Sequence, residues 1–327
     1  LEKYNIGGTD LGIPFYDNSK EQMYLLFGDT FKGINNTVNI DGWRSQTVGI
    51  STDFNLEDGL TFDSFISDED GKAIQIIPSK HDSNKAGGEK TCIPTGGIEI
   101  DGVHYIFYMS IRKWNDDGSW DINFCTVAKS TDAQNYEVLT DLYWAEEEDL
   151  GKENASLILD RTLDEIVTHE AEHFLQIFPY RVDDYVYLFG LTAGRFGGCK
   201  LGRVKVENIE SFDEYEYFVG KDEDSTPIWI KGVEGLNALK FNDDSYIVEP
   251  QVGELSVCYN AYLKKYVMSF YSENKIIMRL SDDLISWSDY EVITTANEFI
   301  QLYGGFSHEL YMEENGKILY FIISQYE

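Results

Sequence analysis

Five short stretches of the chain are almost continuous in apolar residues: Met23–Phe27, Tyr105–Tyr108, Tyr185–Phe189, Tyr266–Phe270 and Ile318–Ile322. A strand covered on both faces loses the alternation of apolar and polar positions, so these five read as strands buried on both sides. Four of them follow polar, turn-forming patches: Asp17-Asn18-Ser19, Asp101-Gly102, Asp183-Asp184 and Asn315-Gly316. Such patches ahead of an apolar run are hairpin punctuation. The aromatic anchors Phe27, Tyr108, Phe189 and Phe270 recur every 81 residues. A second element also recurs, in Ser130-Thr-Asp132 with Tyr136, Ser281-Asp-Asp283 with Trp287 and, more weakly, Ser51-Thr-Asp53. There an Asp side chain caps a turn and an aromatic packs back between sheets, a device for the edge of a blade. Similar strands, each in its own block of hairpins, suit a radial repeat better than a sandwich or closed barrel. The expectation is an all-β, five-bladed β-propeller formed by residues 1–327 as one domain. Helical periodicity is scarce, its main candidate being Leu163 to Phe178.

Composition narrows the partners. The 327 residues are 43% hydrophobic and 14% aromatic, enough for a large core. Acidic residues number 58 against 26 basic ones, a net charge of −32. Such a surface repels phosphate backbones and anionic lipid, so nucleic acid and membrane insertion are excluded as partners. Most of the charge is a solvated exterior, and the remaining carboxylates suit a neutral, hydroxyl-rich ligand or a cation. The cysteines, Cys92, Cys125, Cys199 and Cys258, are widely spaced and read as buried free thiols. The sequence opens at Leu1 rather than Met, so a secretory leader removed ahead of it and an extracellular or cell-surface location are the expectation.

The chemistry centres on two aspartates. Asp10 follows Gly7-Gly-Thr, and Asp29 ends the first apolar run in Phe27-Gly-Asp-Thr-Phe31. Asp is a poor strand residue, and at a strand end near a propeller axis it points into the mouth of the channel. Two carboxylates held close push their pKa values apart, so one stays protonated as an acid while the other acts as base or nucleophile. Turn capping by both is the competing reading. His169-Glu170-Ala-Glu-His173 matches the zinc-protease pattern H-E-x-x-H, but no third ligand follows at the usual spacing and the motif runs straight into an apolar strand.

Gly8-Thr-Asp-Leu-Gly12, Leu26-Phe-Gly-Asp-Thr-Phe31, Trp43-Arg-Ser45, Ile93-Pro-Thr95, Tyr187-Leu-Phe-Gly190, Gly194-Arg-Phe-Gly197, Leu201-Gly-Arg203, Glu254-Leu-Ser256 and Leu302-Tyr-Gly-Gly305 follow in order. In these the chain resembles the bacterial family long known as domain of unknown function 4185, now glycoside hydrolase family 183. The resemblance spans nearly the whole chain, though Asn154–His173 finds no counterpart in it. It implies a five-bladed propeller, endo-acting cleavage of D-arabinan and a catalytic pair at Asp10 and Asp29. Substrate contacts are expected from Trp43, Arg44, Thr95, Arg195, Glu254 and His308, in a monomer acting on polysaccharide without metal or cofactor. The alternatives are a non-catalytic carbohydrate-binding propeller and a zinc-dependent hydrolase using His169, Glu170 and His173.

Overall fold

The computed structural model describes residues 1–32, 42–78, 88–145, 149–167 and 172–325. Four antiparallel sheets of four or more strands stand around a common axis. The first holds β1 (Gly8–Asp17), β2 (Gln22–Phe31), β3 (Thr47–Ser51) and β4 (Ser64–Phe65). The second holds β5 (Thr91–Ile100), β6 (Val103–Trp114), β7 (Trp120–Ser130) and β8 (Glu137–Ala145). The third runs through β9 (Gln176–Val182), β10 (Tyr185–Leu191), β11 (Cys199–Lys205), β12 (Glu216–Lys221) and β13 (Pro227–Lys231), with β14 (Tyr246–Val248) also paired to β11. The fourth holds β15 (Leu255–Asn260), β16 (Lys265–Ser272), β17 (Lys275–Ser281) and β18 (Glu291–Thr295).

The propeller therefore has four blades, not the expected five. The fifth apolar run, Ile318–Ile322, does not form one buried strand. Its start, β21 (Ile318–Leu319), pairs with β20 (Met312–Glu313) in a side hairpin. Its end opens β22 (Ile322–Gln325), which pairs with β19 (Leu302–Phe306). Ile318 is exposed and Leu319–Ile322 only half-buried, so this run lacks the two-sided cover that defines the others. The two-stranded ladder of β19 and β22 fills the sector between the fourth blade and the first, packing on β16 and on β1.

The other four apolar runs lie in β2, β6, β10 and β16, each the second strand out from the axis. Their anchors occupy matching rungs, with Phe27 opposite Leu11, Tyr108 opposite Pro94, Phe189 opposite Phe178 and Phe270 opposite Leu255. Sheets on either side bury these strands almost completely, which accounts for the lost alternation. The innermost strands β1, β5, β9 and β15 contact one another in sequence around the axis. Each Ser-x-Asp element ends the third strand of a blade. Asp132 accepts the backbone N–H of Gln134 and Asn135, and Asp283 those of Ile285 and Ser286. These are turn caps, as read from the sequence.

Helices lie outside the sheets. The α-helices are α1 (Asp149–Ile158), against β7, and α2 (Gly232–Leu239), against β12 and β13. The helix expected at Leu163–Phe178 is absent from the described part of that stretch. Leu163–Glu165 and Glu172–Phe174 are single 3-10 turns, and the chain then enters β9. All four cysteines are buried free thiols. Among the described residues no helix is long and apolar enough to cross a membrane.

Candidate functional site

The inner strands delimit an axial channel with two mouths. At the mouth where these strands begin, a narrow cavity of about 60 Å³ is walled by Leu11, Ile13, Ile93, Phe178 and Leu255 and carries Asp10, Arg195, Glu254 and Tyr303. Trp114 and Trp120 complete its rim, the first 49% exposed and the second buried, their rings edge-on at 5.6 Å.

Asp10 and Asp29 come together through an irregular stretch of the β1–β2 ladder. Thr9 pairs with Thr30 and Leu11 with Phe27, so Asp10 alone faces Gly28 and Asp29. Such a bulge re-aims side chains. The compensating shift falls at Leu11 and Gly12, both at positive φ (65° and 112°), which is strained backbone for a leucine. Gly28 permits the approach, since a Cβ there would lie 3.1 Å from Cβ of Asp10. Hydroxyl contacts between Thr9 and Thr30 (2.7 Å), and between Thr30 and Thr47 (3.1 Å), tie this irregular segment to β3.

The carboxylates are held differently. Asp29 accepts two hydrogen bonds on the same oxygen, Oδ1, from Thr91 Oγ1 at 2.6 Å and Trp43 Nε1 at 3.1 Å. Its Oδ2 accepts none among the described residues. Burial, with a further contribution from the Asp10 charge, pushes Asp29 up to about 7 against the pull of those two donors. Asp10 accepts the Tyr303 hydroxyl on Oδ1. Its pKa is also raised, by burial first and by the nearby Glu254 charge, while the Tyr303 hydrogen bond and the Arg195 charge oppose the shift. Asp10 lines the cavity; Asp29, on the next strand outward, is partly exposed but does not.

Arg195 grips Glu254 through both Nε (2.9 and 3.0 Å) and a terminal nitrogen (2.6 Å). Its guanidinium lies over the rings of Trp120, Tyr271 and Tyr303, at 5.3–5.4 Å from each centroid. Burial alone would lower its pKa, but Glu254 outweighs burial and raises it, so the cation is permanent. Gly253 makes the packing fit, because a Cβ there would meet Cγ of Arg195 at 3.2 Å.

The remaining sequence-predicted residues divide. Trp43 is at the site, with its indole N–H on Asp29. Thr95 lines the cavity, but its hydroxyl bridges β5 to β9 by donating to the Ile177 carbonyl at 2.7 Å. Arg44 is not among the residues that line the cavity. It is buried, and its guanidinium donates to the backbone carbonyls of Ala73 and Asn5. His308 lies apart from the aspartates, lining the opposite mouth with Tyr16 and Tyr180. Its Nδ1 accepts the Leu310 N–H at 3.1 Å. Of the H-E-x-x-H motif, His169 and Glu170 lie outside the described residues. His173 is buried edge-on against Tyr246. Sequence reasoning missed Tyr303, Thr91, Trp114 and Trp120. The two tryptophans flanking the turn Asn115-Asp-Asp-Gly118 were a visible signal, and Tyr303 lay in the motif Leu302-Tyr-Gly-Gly305 without its role being readable; Thr91 gave no signal.

Among solved structures, a protein of Bacteroides ovatus described as a candidate hydrolase is similar over 94% of this chain and 77% of its own, at 11% identity and TM-score 0.56. That likeness is one of fold. A GH43_1 enzyme of Xanthomonas citri gives TM-score 0.47 at 11% identity, covering 97% of this chain and 87% of that one. The GH32 beta-fructofuranosidase of Bombyx mori gives 0.48 at 9%, covering 98% and 60%. No functionally curated protein matches the sequence. The sequence model described as domain of unknown function (DUF4185) matches residues 1–327, and this chain belongs to that family.

Proposed function

We propose that this protein is a glycoside hydrolase that cleaves a furanoside polysaccharide internally, endo-D-arabinanase-like, outside the cell. The observation that carries the reading is the pair Asp10 and Asp29, brought side by side by a bulge at the channel mouth with both pKa values raised. Near neutral pH such a pair retains a proton. Asp29, whose Oδ2 accepts no hydrogen bond among the described residues, is the acid: its proton passes to the glycosidic oxygen as the bond to the anomeric carbon breaks. Asp10 is the ionised partner and directs the attack, with a water oxygen finally joining the anomeric carbon. The exposed Trp114 offers an aromatic face to the apolar side of a sugar. A polymer laid across the mouth would meet Asp10 and the exposed Trp114 together, which suits internal cleavage.

A panel of arabinans incubated with the protein, with products read by chromatography, tests the reading. Products from the wild type and none from Asp10→Asn or Asp29→Asn support it. The second reading, a carbohydrate-binding propeller without turnover, is favoured by the absence of Asp29 from the cavity lining. It predicts binding without products and binding that survives both substitutions.

A further inference from the structure

Asp10 is faced by charged or titratable groups from every side. Asp29 approaches from β2, Glu254 from the segment before β15, Arg195 from the β10–β11 connection and Tyr303 from β19, and β5 lines the same cavity with Ile93, Pro94 and Thr95. Of these, only Tyr303 is hydrogen-bonded to Asp10. Its position is built rather than incidental. The β19–β22 ladder shifts register between Tyr303 and Gly305, with Gly304 at φ 60°, so a bulge turns Tyr303 toward β1. Arg195 lies over the same ring and is locked to Glu254. Both carboxyls thus have Oδ1 pinned by donors, but from different quarters: Asp29 by Thr91 and Trp43, and Asp10 by a tyrosine backed by a cation.

We infer that Tyr303 is the positioning residue that makes the two aspartates unequal, holding Asp10 as the ionised partner so that the shared proton stays on Asp29. The phenol donates its proton to the Asp10 carboxylate without giving it up, and the Arg195 charge over its ring reinforces that donation. A hydrogen bond to the ionised form lowers a carboxyl pKa; at Asp10 the Tyr303 bond acts together with the Arg195 charge, whereas at Asp29 burial outweighs Thr91 and Trp43.

The inference rests on the hydrolase reading for its purpose but not for its test. Tyr303→Phe keeps the ring beneath Arg195 and removes the hydroxyl alone. The Asp10 and Asp29 carboxyl carbons are followed by NMR in carbon-13-labelled full chain, without substrate, across pH 3–9. In the wild type Asp10 titrates first and Asp29 last. In Tyr303→Phe the Asp10 midpoint rises by about one to two pH units and the two midpoints converge. Tyr271→Phe, which alters another ring over Arg195 but whose hydroxyl donates to Asn274, leaves both midpoints in place. Unchanged midpoints in Tyr303→Phe, or equal shifts in both variants, overturn the inference. Arabinan cleavage with unmoved midpoints removes Tyr303 from this role and leaves the hydrolase reading standing. Moved midpoints with no cleavage of any arabinan do the reverse.

Discussion

Strand β1 carries an aspartate near each end, and the two have opposite surroundings. Asp17 is fully buried and its oxygens are ringed by donors: Ser19 N–H and Oγ and Lys20 N–H on one, Lys20 Nζ and His104 Nε2 on the other. Although burial alone would raise it, these donors hold its pKa well below the usual carboxylate range. The Asp17–His104 contact fastens the first blade to the second, and the other ring nitrogen of His104 contacts the Tyr136 hydroxyl of its own blade at 2.9 Å. Asp10, seven residues earlier on the same strand, is only half-buried, accepts one hydrogen bond and is pushed upward. Asp17 is the more buried of the two and yet the one held low, so satisfaction rather than burial separates them. A carboxylate whose lone pairs are filled is a strut, and one left short of donors beside a second carboxylate is a candidate for chemistry.

That contrast can be broken most sharply at the reactive end. Asp10→Asn or Asp29→Asn should lower turnover about 10²- to 10⁴-fold while circular dichroism and the melting transition stay folded. At the other end, Asp17→Ala strips His104 and several backbone donors of their partner in a buried place. It should cost about 3–5 kcal/mol in urea unfolding, with activity per folded molecule unchanged.

The pH response should have opposite sign at the two ends. Asp29 titrates near 7 when folded and near 4 when unfolded. Between those values the folded state binds more protons, so this end loses stability as pH rises. Asp17 is depressed, so its contribution is present above about pH 4 and is lost as pH falls further. Asp29→Asn should therefore gain about 1–3 kcal/mol over wild type at pH 8 and nothing at pH 4, measured by chemical denaturation. The smallest effect is expected at the rim, where Trp114→Ala should raise KM several-fold, about 1 kcal/mol, with little change in kcat.

The sequence made the blades legible where burial is two-sided. The runs in β2, β6, β10 and β16 stand out because both faces are covered, and the Ser-x-Asp caps mark their outer partners. It misled where the same composition met a different environment. Ile318–Ile322 is as apolar as the others, yet it is split between a surface hairpin and a two-stranded ladder. Leu163–Phe178 has helical spacing, but its described residues form short turns and the start of a strand. At the site, Asp10 and Asp29 announced themselves as acids in strand contexts. Arg44 looked like a sugar contact because it adjoins Trp43, and only the fold shows its guanidinium holding the backbone of Asn5 and Ala73. Tyr303 was invisible as a partner because its role depends on a residue 293 positions away.

That separation has a consequence for assembly. The Asp10–Tyr303 contact and the bond from Ser324 Oγ to the Leu11 carbonyl at 2.9 Å both join the two extremes of the folded circle. Each of the four blades can form from local hairpins, but these contacts demand the largest loop closure in the molecule. During refolding, recovery of the Asp10 environment should lag the return of strand structure. On the hydrolase reading, a chain with all four blades but an open seam should lack turnover.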